Sequence, residues 1–262
     1  MKQERGRPKS PTWAMVILVS VLFALYLPVV VMFANSFLDH LEPSLRWYRE
    51  ILSDVEMLEA LKRSLWVSVA NAIIATSIGG MGAIALFRTR FRYAKVVNVM
   101  SFVALIMPEL VFGLSLLSWF FILGLSLSLW TVVLAHVTFS LSFVLMTMSG
   151  RMTSLDHSLD EAAYDLGASP WTTIRKIILP LLKPALYSSF LLSFLLSFDD
   201  FLITFFTNGV GQDTLPVRLY AATKMGLSPK LSALATLMFL FSLIIITGLV
   251  LSKDILPGKR TR

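Results

Sequence analysis

Apolar residues run in long blocks along this chain, and the polar positions between them are clustered rather than alternating. Six blocks stand out, at Trp13–Ala34, Leu65–Phe87, Val96–Leu117, Trp130–Ser149, Leu186–Phe206 and Ser232–Ser252. About 20 apolar residues in a helix cover a hydrocarbon core of about 30 Å. Backbone N–H and C=O groups find no water in lipid, so each block is expected to be a transmembrane helix. A transmembrane barrel needs apolar and polar residues to alternate, and these blocks do not. The expectation is an all-α, polytopic membrane protein with six transmembrane helices. The third block runs on apolar to Leu123, which leaves room for a short extra helix over 118–129 or for one long tilted helix.

Charge gives the blocks a direction. Four basic residues precede the first block (Lys2, Arg5, Arg7, Lys9), and four separate the second from the third (Arg88, Arg90, Arg92, Lys95). Four more lie between the fourth and fifth (Arg151, Arg175, Lys176, Lys183), and four follow the sixth (Lys253, Lys259, Arg260, Arg262). These sixteen share one side of the membrane, against seven on the other: Arg46, Arg49, Lys62, Arg63, Arg218, Lys224 and Lys230. Cytoplasmic loops collect Lys and Arg, so both termini are expected in the cytoplasm. The organisation is then a tail over 1–12, a membrane domain over 13–252 with a long cytoplasmic loop at 150–184, and a second tail over 253–262. The first block is longer than the roughly 7–15 apolar residues of a signal peptide, so it is expected to be retained.

Composition agrees with this. Apolar residues make up 56% of the chain and charged residues 15%, against about a quarter charged in soluble domains. A net charge of +7 would suggest nucleic acid in a soluble protein. Here the basic residues border apolar blocks, so topology accounts for them and the partner they imply is the lipid bilayer. Cysteine is absent, which excludes disulfides and thiolate metal sites.

The cytoplasmic loop is unlike a simple connector. Ser158 and Glu161 have the spacing of a capping box, S-x-x-E, which starts a helix. Leu159, Ala162, Ala163 and Leu166 fall at i, i+3, i+4 and i+7, as one apolar stripe. Gly167 suits the left-handed residue that ends a helix. Ser169 and Pro170 then read as the cap and first residue of a second helix, with Trp171, Ile174 and Ile178 along its face. Pro180 and Pro184 are expected to break or kink the chain ahead of the fifth block. An amphipathic helix lying on the membrane is one reading. Asp156, Asp160, Glu161 and Asp165 argue against it, because an anionic leaflet repels them. A helix seated in a partner's groove fits better.

The residues Glu161-Ala162-Ala163, then Gly167, then Ile177, Leu179 and Pro180 match every fixed position of E-A-A-x3-G-x9-I-x-L-P. This resembles the EAA loop of bacterial ABC-importer permeases. RSLWVSVANAIIATSIGGMGAIAL, IMPEL, SFDDF and LSPKLSALATLMF resemble the permeases of spermidine/putrescine importers over most of the chain. The resemblance implies a type I ABC-importer permease with a MetI-like fold, in a bacterial inner membrane. It implies that Glu161, Ala162, Ala163, Asp165, Gly167, Ala168, Trp171, Ile177, Leu179 and Pro180 couple to an ATPase. It further implies an ABC ATPase dimer, a second and homologous permease, an external substrate-binding protein and a polyamine cargo. The same machine with another cargo (an organic cation, an amino-acid derivative or iron) and a gradient-driven secondary transporter are the alternatives.

No G-x-x-x-x-G-K-[ST] loop occurs, so ATP and Mg are expected at the partner ATPase and not on this chain. No metal site is expected: His40, His136 and His157 are far apart in sequence and no H-E-x-x-H appears. No catalytic nucleophile and base are seen to converge, so an enzyme is not expected. Gly79, Gly80 and Gly82, with Ala83 and Ala85, mark a face where helices approach closely. The outer stretch Asn35–Ser64 carries Asp39, Glu42, Glu50, Asp54, Glu56 and Glu59. It reads as a solvated face, or as an outer helix that touches the binding protein.

Three carboxylates interrupt the apolar blocks: Glu109, Asp199 and Asp200. Each costs about 2.5–3.5 kcal/mol at mid-bilayer, so each needs a partner or a polar cavity. Counted from the block starts, Glu109 and Asp199 lie roughly 20 Å from the cytoplasmic face. Neighbouring Asp199 and Asp200 point about 100° apart, so they cannot line one pathway equally. Pro108 suggests a broken helix beside Glu109. A cation pathway that uses these acids, with Trp119 or Phe198 adding cation–π contact, is one reading. Structural pairing with another helix is the other.

Overall fold

The computed structural model describes residues 12–39, 42–88, 92–156, 158–224, 226 and 228–251. The tails expected at 1–12 (save Thr12) and 253–262, together with Arg90, His40 and His157, lie outside the described residues. Five helical runs are long and apolar enough to cross a bilayer. They are α1 (Thr12–Ser36), α3 (Val55–Arg88), α6 (Leu129–Thr153), a run from α8 (Pro170–Thr173) through a π turn (Ile174–Ile178) into α9 (Leu179–Phe198), and α12 (Pro229–Leu251). The remaining apolar block is a broken pair, α4 (Ala94–Ile106) and α5 (Glu109–Ile122), bent by 112° at the break. Shorter helices are α2 (Arg46–Ser53), α7 (Ser158–Asp165), α10 (Leu202–Thr207) and α11 (Leu215–Thr223). A two-stranded ribbon pairs Leu38–Asp39 with Glu42–Pro43.

The single span expected over Val96–Leu117 is corrected to a pair of helices, broken where Pro108 suggested. Pro108 disfavours helical backbone in the residue before it, and Met107 is extended at φ −62°, ψ 132°. The chain therefore turns, and Glu109 opens a new helix. The apolar residues up to Ile122 belong to that helix, and no separate helix forms over 123–128. The fifth span is corrected too. It does not break at Pro180 or Pro184. Leu179 N–H bonds back to the Ile174 carbonyl, five residues away, which makes the wide π turn. That turn relieves the clash a proline ring makes with the carbonyl four residues earlier. The helix then runs through Pro184 to Phe198, and the break comes after it, at 199–201.

The core is built on α3, which packs against both α6 and α9. Its glycine face is real: a Cβ on Gly79 would lie 2.7 Å from Val144 Cγ1, so no larger residue fits there. Ala75 and Ala83 bury beside Val144, Met148, Leu182 and Ala185 in one cluster. One polar stitch crosses this centre. Asn71 Nδ2 donates to Ser140 Oγ at 3.1 Å on α6 and to the Ser193 carbonyl at 2.8 Å on α9. A buried amide left without such partners costs about 1–3 kcal/mol, so the stitch also fixes which helix faces meet.

The acidic stretch expected as a solvated face keeps Glu42 and Glu56 exposed but packs its apolar residues on the bundle. α2 buries Ile51 against α3, α11 and α12 in a second apolar cluster. Lys230 on α12 reaches Glu50 at 2.9 Å and Asp54 at 3.1 Å, and Arg218 on α11 pairs with Glu56. Burial raises the Asp54 carboxyl, but the Lys230 ammonium and the Met57 backbone N–H outweigh it and hold Asp54 below its ordinary range. α11 and α2 thus cap the Val55 end of α3 and the Pro229 end of α12. α1 packs along α12 and turns its apolar surface outward, as a lipid-facing helix does.

Candidate functional site

Two polar sites lie at opposite ends of the α3–α6–α9 core. The first is the loop after α6. The start of α7 differs from the expected capping box: Asp156 accepts the Ser158 N–H at 2.9 Å, so Asp156 and not Ser158 caps the helix. Its end is as expected. Gly167 takes φ 74°. Gly167 N–H donates to the Tyr164 carbonyl at 2.8 Å, and Ala168 N–H to the Ala163 carbonyl at 3.0 Å. These are the two bonds of a Schellman motif. Ser169 then caps α8 by accepting the Thr172 N–H at 3.2 Å, with Pro170 as first helical residue.

The stripe expected along α7 divides between two faces. Ala163 is buried and Leu159 half-buried, while Ala162 and Leu166 are exposed. Asp160 pairs with Arg88 at the end of α3, which ties α7 to the core helix. Glu161, Asp165 and Ala168 come together around a groove of about 550 Å³ that Arg88 and Tyr164 also line. Tyr164, Leu166 and Trp171 point away from the bundle with large apolar areas exposed. Ile177 is half-buried, and Leu179 and Pro180 are exposed at the start of α9. The loop therefore offers an apolar ridge beside a groove lined by acids, tied to α3 by the Arg88–Asp160 pair.

The second site is the break after α9. α9 is 20 residues long, so it rises about 30 Å, and Asp199 caps its far end. That corrects the depth expected from a start at Leu186. Asp199 is exposed and accepts a hydrogen bond from Ser242 Oγ on α12 at 3.0 Å. Asp200 turns the other way, its side chain 8% exposed. It accepts the Thr204 N–H and the Thr204 hydroxyl, each at 2.8 Å, and the Ile203 N–H at 3.4 Å. His136 on α6 is 2% exposed and holds the same carboxylate, with Nε2 at 3.1 Å from Asp200 Oδ2. Its Nε2 lies 3.0 Å from Thr204 Oγ1, and its Nδ1 lies 2.6 Å from Ser197 Oγ.

The remaining expected pathway residues separate. Glu109 is exposed as the first residue of α5, where the helix end favours negative charge. Trp119 is exposed on the same helix. Phe198 is corrected: it is 1% exposed and packed between Phe194 at 5.8 Å and Phe241 at 4.8 Å, so its ring faces are already in use. Sequence reasoning missed His136, whose signal was a titratable ring inside an apolar block, the same signal that marked the acids. It also missed a trio of rings near the break: Phe201 lies 4.4 Å from Tyr220, Phe205 lies 6.3 Å from it, and the Lys224 ammonium sits 5.0 Å over Tyr220.

Ser197, His136 and Asp200 do converge, contrary to expectation, and they share the connectivity of a hydrolase triad. Their arrangement serves another purpose. The imidazole is reversed, with Nε2 rather than Nδ1 toward the acid. Ser197 is itself buried on α9, with no surface offered to a substrate. Among the described residues, no group of three or more histidines and acids could hold a metal ion.

Residues 75–256 match the family described as the binding-protein-dependent transport system inner membrane component. The chain belongs to that family. The permease is 39% identical over 238 residues to the spermidine/putrescine transport system permease protein PotC of Haemophilus influenzae, covering 88% of this chain and 93% of that one. It is 37% identical to PotC of Escherichia coli (89% and 91% covered) and 37% identical to the putrescine transport system permease protein PotI of the same organism (87% and 86%). Its fold is that of a bacterial ABC transporter for alginate, with a TM-score of 0.72 at 13% identity over 91% and 93% of the two chains. The inward-facing methionine importer MetNI gives 0.58 at 18% identity over 75% and 96%. The protein is thus the membrane permease subunit of an ABC importer, with ATP hydrolysed by a partner subunit and cargo brought by a binding protein.

Proposed function

We propose that this permease forms half of a translocation pathway for polyamines, spermidine and putrescine among them, beside a second and homologous permease. The α7–α8 loop lies in the cytoplasm with both termini, and docks on an ATPase dimer that binds ATP and Mg. Closure of the ATPases moves the loop. Through Arg88 and the α6 and α9 connections, the bundle rocks and opens its outer end. The binding protein releases cargo there, and hydrolysis returns the bundle inward.

The observation that carries the cargo is the exposed Asp199 carboxylate at the broken end of α9. It supports a cation in a chain whose relatives at 37–39% identity are named for spermidine and putrescine. An ammonium group that leaves water is stabilised by a charge-assisted bond to a carboxylate. Glu109 and Trp119 are offered from α5, where a long flexible cation needs spaced contacts. The test is uptake of labelled putrescine and spermidine in cells that lack other polyamine importers. The wild type should restore uptake. Asp199→Asn should lower it by about tenfold at normal membrane abundance, the loss of one charge-assisted bond. Asp200→Asn should lower abundance itself. Full uptake by Asp199→Asn would remove the acid from the pathway, and no uptake by an assembled wild-type importer would remove polyamines as cargo.

A further inference from the structure

We propose that His136 is a positioning residue for the cargo pathway: it commits Asp200 to the protein interior and so leaves Asp199 as the carboxylate offered to cargo. This rests on the cargo reading above and goes beyond it. The two aspartates are chemically identical neighbours at a chain break. Either one can in principle turn inward, and only the surroundings distinguish them. Asp200 finds a complete set of donors, from Thr204 N–H and O–H, Ile203 N–H and the His136 ring. A ring nitrogen that faces a carboxylate must carry a proton, because a lone pair there would repel it. His136 Nε2 is therefore a donor, and in the neutral ring Nδ1 accepts the Ser197 hydroxyl at 2.6 Å. Ser197 sits two residues before the break, and Thr204 lies within α10. One imidazole thus holds α6, the end of α9 and the start of α10 around a single buried charge.

The same anchor reaches the other exposed acid. α10 lies against α5 at Gly113, where a Cβ would sit 3.0 Å from the Phe206 ring and 3.4 Å from Ile203 Cα. α5 begins at Glu109. A shift of α10 therefore moves the helix that presents Glu109, while release of Asp200 frees the backbone that presents Asp199. His136 touches neither of those acids, yet it sets where both stand.

The importer, assembled with its second permease, ATPases and binding protein in proteoliposomes, distinguishes this from a general folding role. Two rates are measured: putrescine uptake, and ATP hydrolysis stimulated by putrescine-loaded binding protein. His136→Leu should lower uptake by about tenfold, as expected for loss of a charge-assisted bond, and leave hydrolysis within about twofold. His136→Gln, whose amide N–H can still donate to Asp200, should restore most of the uptake. A residue that only stabilises the fold would lower both rates together. An unchanged ratio of uptake to hydrolysis in His136→Leu overturns the proposal. If that variant does not assemble, Thr204→Val removes one donor to the same carboxylate, and its ratio decides the matter in the same way. A wild-type importer that hydrolyses ATP with loaded binding protein but moves no putrescine would overturn the cargo reading instead.

Discussion

Gly167 is the single residue on which the shape of the proposed coupling loop turns. It holds φ 74° with open space where a Cβ would sit, so its requirement is set by the backbone alone. Its N–H is also one of the two bonds that close α7. Gly167→Ala should cost about 1–2 kcal/mol locally, the penalty of a left-handed L-residue, and weaken co-purification of the ATPase without abolishing it. Gly167→Pro loses the N–H and cannot adopt the angle. It should insert normally and retain no ATPase in a pull-down from solubilised membranes. Recovery of the ATPase at wild-type levels would mean that the loop is not the docking element.

At the scale of elements, the contacts between helices are set by small residues. Gly79→Val would drive a branched side chain into Val144, and overpacking of this kind costs about 1–3 kcal/mol. The variant should show a lowered melting temperature in detergent while its span still inserts, and an unchanged melting temperature would mean that α3 and α6 can separate there. This face was legible in the sequence as a run of glycines, and so were the six spans, the glycine stop and the Ser169 cap. The end points of the fifth span were not. A proline marks a break only if nothing replaces its lost bond, and a π turn at 174–178 supplies room that no local pattern announces. The split between Asp199 and Asp200 was equally hidden. It depends on His136, 64 residues away in sequence, and only the folded chain brings that ring to the acid.

For the whole molecule, the absence of cysteine gives a direct test of orientation. A single Trp171→Cys reports on the loop side and a single Val210→Cys on the opposite end, both at exposed positions. In intact cells a membrane-impermeant thiol reagent should label Cys at 210 and spare Cys at 171, and inverted vesicles should show the reverse. Labelling of both positions from one side would contradict the arrangement of spans.

α3 has a mechanical consequence. It is one uninterrupted helix of 34 residues, so it is about 50 Å long. At one end Arg88 grips Asp160 of the loop, and near the other Glu56 grips Arg218 of α11. A stiff rod held at both ends acts as a lever, and its fulcrum in the glycine face lies much nearer the Arg88 end than the Val55 end. With arms of about 12 Å and about 37 Å, a tilt of about 10° swings the Arg88 end by about 2 Å and the Val55 end by about 6 Å in the opposite sense, given the helix rise per residue. Under the proposed coupling, a small push on the loop is thus carried along one straight helix and arrives at the far end of the bundle enlarged about threefold, the ratio of the two arms.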